Sequence, residues 1–249
     1  MPHFFIKSTS INNGNINVFD DDNYRHIVKS LRTRVGEKLL FIDENRIQYE
    51  TEVEEISSNN ISVKILKSYK SNRDLPYNLY LAQSPLRSDS QNFIVEKATE
   101  LGIRGLYPIF TDNCAVKKDV IEKKIQKWQK IMYEASKQCE RASIPNCYEL
   151  TNIETLINST SFDRIIAFCE RIADKTLREI FVQVPAFSDK NILLIIGPEG
   201  GFSKREFEFF KNCAKVEMIT LGDMILKADT AVVVGIGNVI YEISNNFKN

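Results

Sequence analysis

The run Ile192-Leu193-Leu194-Ile195-Ile196 constrains this chain more than any other. Five consecutive apolar β-formers, with no polar residue alternating, must be covered on both faces. The run passes directly into Gly197-Pro198-Glu199-Gly200-Gly201-Phe202-Ser203. The glycines can take positive φ and let a ligand approach the backbone, and Pro198 stiffens the turn. Ser203 with Glu206 forms a capping box that starts a helix, with Phe202 and Phe207 at the positions of a hydrophobic staple. Open α/β sheets bind ligands in turns of this kind, at the carboxyl ends of strands. The spacing is neither G-x-G-x-x-G nor a P-loop. A tight structural turn without a ligand is the competing reading.

A second apolar strand, Val216–Leu221, ends in Gly222-Asp223-Met224-Ile225-Leu226-Lys227-Ala228-Asp229-Thr230-Ala231 and feeds another helix. Two such loops would lie side by side at one sheet edge. Upstream, strands at Leu79–Ala82, Leu106–Phe110 and Arg164–Phe168 alternate with helices at Ser90–Leu101 and Asp119–Ala142. That alternation predicts a mostly parallel sheet covered on both faces. In the long helix Ile121, Ile125, Trp128, Met132, Ala135 and Cys139 make a single apolar stripe. Trp128 therefore reads as core rather than as a stacking platform, and Lys123, Lys124, Lys127 and Lys130 read as solvated. Ala231–Ile240 is apolar all round and predicts a helix buried on every side.

The first seventy residues carry short β patterns at Phe4–Ile6, Asn15–Phe19, Lys38–Ile42, Ile47–Ile56 and Ile61–Leu66, broken by polar turns. They suggest a small barrel. One helix, Asp22–Leu31, interrupts them and begins a basic run of Arg25, His26, Lys29, Arg32 and Arg34. That run is either a solvated face or a phosphate-contacting patch. Ser68–Pro76 lacks periodicity and reads as the linker region. The domains expected are residues 1–70, a linker at 71–77, and 78–249.

Formal net charge is zero, so RNA contact would need a local patch. The five cysteines have irregular spacing and no C-x-x-C, and with two histidines they imply no metal cluster. Reduced thiols and the lack of an apolar run near ~18 residues point to a cytoplasmic protein without a membrane span.

The order of these motifs resembles the RsmE family. Ile196-Gly197-Pro198-Glu199-Gly200-Gly201-Phe202-Ser203 and Leu221–Ala231 carry the resemblance, together with His26-Ile27-Val28-Lys29-Ser30-Leu31-Arg32-Thr33-Arg34-Val35-Gly36-Glu37. Gln83–Arg87, Glu96–Gly102 and Gln138–Arg141 extend it over nearly the whole chain. The resemblance implies a SPOUT-class enzyme that methylates N3 of a uridine in small-subunit (16S) ribosomal RNA. It implies an α/β fold: a small N-terminal PUA-like β-barrel that holds RNA, then a SPOUT α/β domain with a C-terminal trefoil knot. The cofactor implied is S-adenosyl-L-methionine, held by Ile196, Gly197, Pro198, Glu199, Gly200, Gly201, Leu221, Gly222, Ile225, Leu226 and Thr230. A homodimer is implied, with Ala231–Ile240 against the second subunit. His26, Lys29, Arg32, Arg34 and Arg87 would contact RNA. Thr33, Glu140, Lys227 and Asp229 stand where the family usually has Met, Gly, Arg and Glu.

The chemistry needs a proton acceptor for N3–H and a positive group near O2 and O4. Lys227, Asp229, Glu199 and Arg141 are the candidates, Arg141 from the partner subunit. Asp229 could equally serve only the helix dipole, and Lys97 with Glu100 could be a surface ion pair. An RNA-binding assembly factor without transferase activity, or a SPOUT enzyme acting on another RNA, are the alternatives.

Overall fold

Turn chemistry sets the first sheet. Asn13 and Gly14 take φ of 49° and 83°, the pair that a two-residue type I′ hairpin requires. They join β2 (Ile11–Asn12) to β3 (Asn15–Val18). The computed structural model describes residues 1–19, 21–159, 161–170, 172–173, 175–181 and 191–246. By its contacts the chain divides into two units: Met1–Asp74 with Ser136–Ser143, and Leu75–Ala135 with Ile144–Asn249.

In the first unit β1 (His3–Phe5), β4 (Lys38–Ile42), β5 (Ile47–Ile56) and β6 (Ile61–Lys70) join β2 and β3 in one sheet, ordered β1-β4-β5-β6-β3-β2. All neighbours are antiparallel except β1 and β4. Phe4, Phe41, Ile16, Val53, Ile61 and Val63 fill its core. The expected helix is one α-helical turn, α1 (Asp21–Tyr24), continued by π-helical Arg25–Ser30. It buries Ile27 in that core and ends at Arg32, which takes φ of 54°.

The second sheet is wholly parallel. Its strands are β7 (Asn78–Gln83), β8 (Gly105–Pro108), β9 (Asn146–Cys147), β10 (Arg164–Phe168), β11 (Asn191–Ile196) and β12 (Val216–Ile219), ordered β12-β10-β11-β7-β8-β9. β11 lies at the centre and alternates as the sequence requires. Ile192, Leu194 and Ile196 enter one core, Leu193 and Ile195 the other. Each side chain so buried contributes about 1.5–3 kcal/mol. The first core is completed by α2 (Ser88–Glu100), α3 (Lys118–Gln138), α5 (Leu177–Phe181) and α7 (Ala228–Asn246). The second is covered by α4 (Ile153–Ser159) and α6 (Lys204–Asn212). Trp128 is 1% exposed and belongs to the first core.

Three sequence expectations change. The strand expected to reach Phe110 ends at Pro108. Ala231–Ile240 is not buried on every side by its own chain: Ala231, Val232, Ile236 and Val239 face the core, while Val233, Val234 and Ile240 are half-buried and Asn238 is exposed. Composition fixes the apolarity of a helix, but not what covers each face. And α3 ends at Gln138, not Ala142. Glu140 takes φ of 57°, Arg141 N–H donates to the Ser136 carbonyl at 3.1 Å, and Glu140 N–H to Lys137 at 3.4 Å. Those two bonds make a Schellman cap with Glu at the position that glycine favours. Glu140 also pairs with Arg73. The segment expected as a linker is anchored: Asp74 pairs with Arg141 and Arg46, Leu75 packs on Gly102, and Tyr77 is buried.

The left-handed backbone at Glu140 gives a direct test. Glu140→Ala and Glu140→Gly both lose the ion pair, but only glycine relieves the strain. Urea denaturation should find the glycine variant more stable than the alanine variant by about 1 kcal/mol; equal stabilities would mean that the cap carries no strain.

Candidate active site

The direction of winding reverses between β7 and β11. From β7 the chain moves outward to β8 by way of α2. From β11 it moves the other way to β12, by way of α6 on the opposite face. Crevices form at such reversals, at the carboxyl ends of the strands. A cavity of about 780 Å³ lies there. It is bounded by the glycine turn after β11, by Phe168–Glu170 and Ile172 at the end of β10, by Leu86 and Ser90 at the start of α2, and by Ile225–Asp229 with Ala231 before and within α7.

The glycine turn is held from outside the cavity. Ser203 caps α6: its backbone N–H donates to Glu206 Oε2 at 2.8 Å, and Glu206 N–H returns to Ser203 Oγ at 3.2 Å. Phe202 and Phe207 meet edge to face, with centroids 5.9 Å apart, as the staple requires. The loop after β8 is tied to the same turn. Asp112 N–H donates to Glu206 Oε1 at 3.1 Å, and the Asp112 carboxylate accepts from Ser203 Oγ and from Nε and Nη2 of Arg205. The Arg205 guanidinium, with Ser203, holds the Asp112 carboxyl below its ordinary pKa. Asn113 Nδ2 donates to the Gly201 carbonyl at 3.0 Å. A Cβ added at Gly200 would lie 3.3 Å from Asn113, and one at Gly197 would lie 3.2 Å from the Phe202 ring. These two glycines thus admit neighbouring side chains of the protein itself. Gly201 takes φ of 69°, with nothing within 4 Å of its Cβ position.

Ile196, Gly197, Pro198, Glu199, Gly200, Gly201, Ile225 and Leu226 all line the cavity, as do Lys227 and Asp229. Leu221, Gly222 and Thr230 are not among its lining residues. Asp229 Oδ1 accepts the Thr230 N–H at 2.7 Å, so one of its oxygens serves the start of α7. Arg141 is not among the residues that line the cavity of its own chain. It is 4% exposed in the first unit, with Nε 3.4 Å from Asp74 Oδ1. Lys29, Arg32 and Arg34 are exposed on the first unit, with Leu31 and Val35 exposed beside them, while His26 is half-buried with its ring edge on Phe4. Arg87 is exposed at the N-cap of α2. Lys97 bridges Glu96 and Glu100 on the helix surface.

Two cavity residues carry no local sequence signal. Cys169 is 2% exposed, and burial pushes its thiol up to about 12, so it is a neutral wall and not a nucleophile. Glu170 is the second. Its Oε1 accepts the Leu226 N–H at 2.9 Å across 56 residues of sequence. It ties the loop after β10 to the segment carrying Ile225, Leu226 and Lys227.

Residues 73–240 match a family model described as the RNA methyltransferase domain, and residues 19–66 match an RNA methyltransferase PUA domain. The chain belongs to the RNA methyltransferase family. The motif resemblance to RsmE holds among its relatives. Ribosomal RNA small subunit methyltransferase E of Bacillus subtilis is 25% identical over 224 residues, covering 87% of this chain and 86% of that protein. The protein of that name from Buchnera aphidicola of Schizaphis graminum is 29% identical, covering 86% of this chain and 85% of that one. A crystal structure of the Neisseria gonorrhoeae enzyme of that name, bound to S-adenosyl methionine, superposes with a TM-score of 0.83 at 22% identity, over 97% of each chain. That likeness shows a shared fold across both units of this RNA methyltransferase. Among the described residues no group of His, Cys, Asp and Glu could hold a metal ion, and no helix is long and apolar enough to cross a membrane.

Removing the Glu170 tether should loosen the loop without disturbing the sheet. Glu170→Ala is expected to raise amide hydrogen exchange at Ile225–Lys227 by about tenfold, the equivalent of one lost hydrogen bond to a charged group. Glu170→Gln keeps an acceptor and should stay near wild type. Equal exchange in both variants would show that the contact does not hold the loop.

Proposed function

We propose that the protein methylates N3 of a uridine in small-subunit ribosomal RNA, in the cytoplasm, using S-adenosylmethionine. The observation that carries this reading is the cavity at the carboxyl edge of β10 and β11, walled by the glycine turn and the segment before α7. Its volume suits a ligand of this size, since small-molecule sites run from about 300 to 1,000 Å³. Its chemistry suits the cofactor too. Leu86, Ile196 and Leu226 offer apolar wall, the Gly201 backbone is uncovered, and Glu170, Glu199 and Asp229 bring negative charge toward a cationic ligand. The names of the relatives and the S-adenosyl methionine bound by the Neisseria gonorrhoeae enzyme support the same assignment.

Ile196–Gly201, Ile225 and Leu226 would hold the cofactor, which supplies an electrophilic methyl group when bound. The remaining work falls to the chain's own side chains. Uridine N3 becomes nucleophilic only as its proton leaves. In this reading Asp229 accepts that proton, since Thr230 engages one of its oxygens and orients the other. Lys227 offers positive charge to O2 and O4 as they become anionic. It does so as a point charge, without the planar fork of an arginine. Arg141, held by Asp74 within its own chain, is given no step here. Lys29, Arg32 and Arg34 hold RNA phosphate, supported by their exposure and by their having no ionic partner among the described residues.

Two finer features belong to this reading. The C-terminal segment is threaded as a trefoil knot, supported by the contacts of residues 219–226 with the loop after β10. There Cys169 N–H donates to the Ile219 carbonyl, Thr220 N–H to Lys175, and Leu226 N–H to Glu170. The protein is a homodimer, supported by exposed Tyr241 on α7 and exposed Phe93 on the neighbouring helix α2. Apolar surface of that kind is common at subunit contacts.

Calorimetric titration with S-adenosylmethionine should give saturable binding, and the enzyme should convert one uridine of small-subunit RNA to its N3-methyl form. No binding, with or without RNA present, would instead favour an RNA-binding factor that transfers nothing. Lys227→Ala should lower kcat by about 100-fold while leaving cofactor affinity near wild type; an equal loss in both would make Lys227 a binding residue only.

A further inference from the structure

The chain has no net charge, yet one face of α3 is strongly basic. From Lys117 to the end of α3 the chain has Lys117, Lys118, Lys123, Lys124, Lys127, Lys130 and Lys137 against Asp119, Glu122 and Glu134. The apolar stripe of this helix turns Ile121, Trp128 and Met132 into the core. Lys123, Lys127 and Lys130, at i, i+4 and i+7, fall on the opposite side and are exposed. Lys123 meets Asp119 at 4.0 Å, with both side chains more than half exposed, and such a contact contributes almost nothing. Lys127 and Lys130 have no acidic partner among the described residues. Like charges at this spacing repel one another and weaken a helix. A solvated helix face built for stability alone would alternate the signs.

The loop before α3 backs the glycine turn that walls the cavity. It places Asn113 on the Gly201 carbonyl, and Cys114 Sγ 3.8 Å from the Pro85 carbonyl, beside Leu86 of the cavity wall. Lys118 Nζ sits 4.6 Å over the Phe110 ring at the first turn. From Lys118 to Lys130 the helix rises roughly 18 Å, enough to meet several phosphates in succession. We propose that the outer face of α3, through Lys123, Lys127 and Lys130, binds the phosphate backbone of the substrate RNA where it leaves the cavity. This surface is separate from the basic patch of the first unit. The proposal rests on the reading of the protein as an RNA methyltransferase of ribosomal RNA. It adds to that reading a second surface that positions the strand. Lysine suits the role, because phosphate tracking needs point charges on flexible stems rather than base-reading geometry.

The test compares wild type with Lys123→Gln/Lys127→Gln/Lys130→Gln. RNA affinity is measured by filter binding to a small-subunit RNA fragment across a salt series, and cofactor binding by calorimetry. Each lost phosphate contact on single-stranded RNA removes about 0.7 from the slope of log affinity against log salt. The triple variant should therefore lose about 2 from that slope and bind roughly 10- to 100-fold more weakly near physiological salt. Cofactor affinity should not change, and the melting temperature should not fall. A second variant, Lys123→Glu/Lys127→Glu/Lys130→Glu, should weaken binding further. Wild-type slope and affinity in both variants would overturn the α3 surface and leave the methyltransferase reading intact. Failure of the wild-type protein to bind RNA at all would overturn both.

Discussion

A charged carboxylate that is 4% exposed costs several kcal/mol to bury unless its oxygens are fully engaged. Glu206 meets that condition by serving two segments at once. One oxygen takes the N–H of Ser203 at the end of the glycine turn, and the other takes the N–H of Asp112 in the loop after β8. Its position in the first turn of α6 adds the favourable end of the helix dipole. The helix, the turn and the neighbouring loop are thus fixed by one side chain. Asp112 and Arg205 reinforce the same junction at the surface. The cavity wall built from Gly197–Phe202 is rigid because this junction lies directly behind it.

What could be read from the sequence divides along the range of the interactions. The capping box, the staple and the two-faced burial of β11 depend on residues within a few positions of one another, and all three occur as the sequence predicts. The Glu170 tether and the Asn113 contact with the glycine turn join residues 56 and 88 positions apart, and no local pattern announces them. Gly200 shows the same limit from the other side. Its lack of a side chain reads naturally as room for a ligand, whereas the nearest neighbour is Asn113 of the same chain. Arg141 stands in a motif of the family, and only the course of the backbone through the Glu140 cap shows that it turns toward Asp74.

Net charge was a poor guide to partners for a related reason. What matters is which basic groups are left unneutralised locally. Lys29, at the end of the π-helical turn, and Arg32 and Arg34 just beyond it are exposed together, whereas acids of β5, α2 and α6 stand opposite lysines or pair with them. A sum over the chain hides that difference, and RNA responds to the local field, which salt confines to roughly 8–10 Å. A neutral chain can therefore carry a surface that RNA binds, provided that its acids are neutralised elsewhere.

The cavity itself is unequal in firmness. Its glycine-turn wall is bound by the Glu206 junction, but the opposite wall is a segment with few supports. Met224 is 77% and Ile225 61% exposed, Gly222 takes φ of 122°, and the tether between Glu170 and Leu226 crosses from this segment to the rest of the cavity. Segments with little buried apolar surface open at low free-energy cost. A ligand that fills the cavity would cover Ile225, which lines it. Burial of a single such side chain is worth about 1.5–3 kcal/mol. Ligand binding would therefore be coupled to the closing of this wall, on which Lys227 follows just before α7.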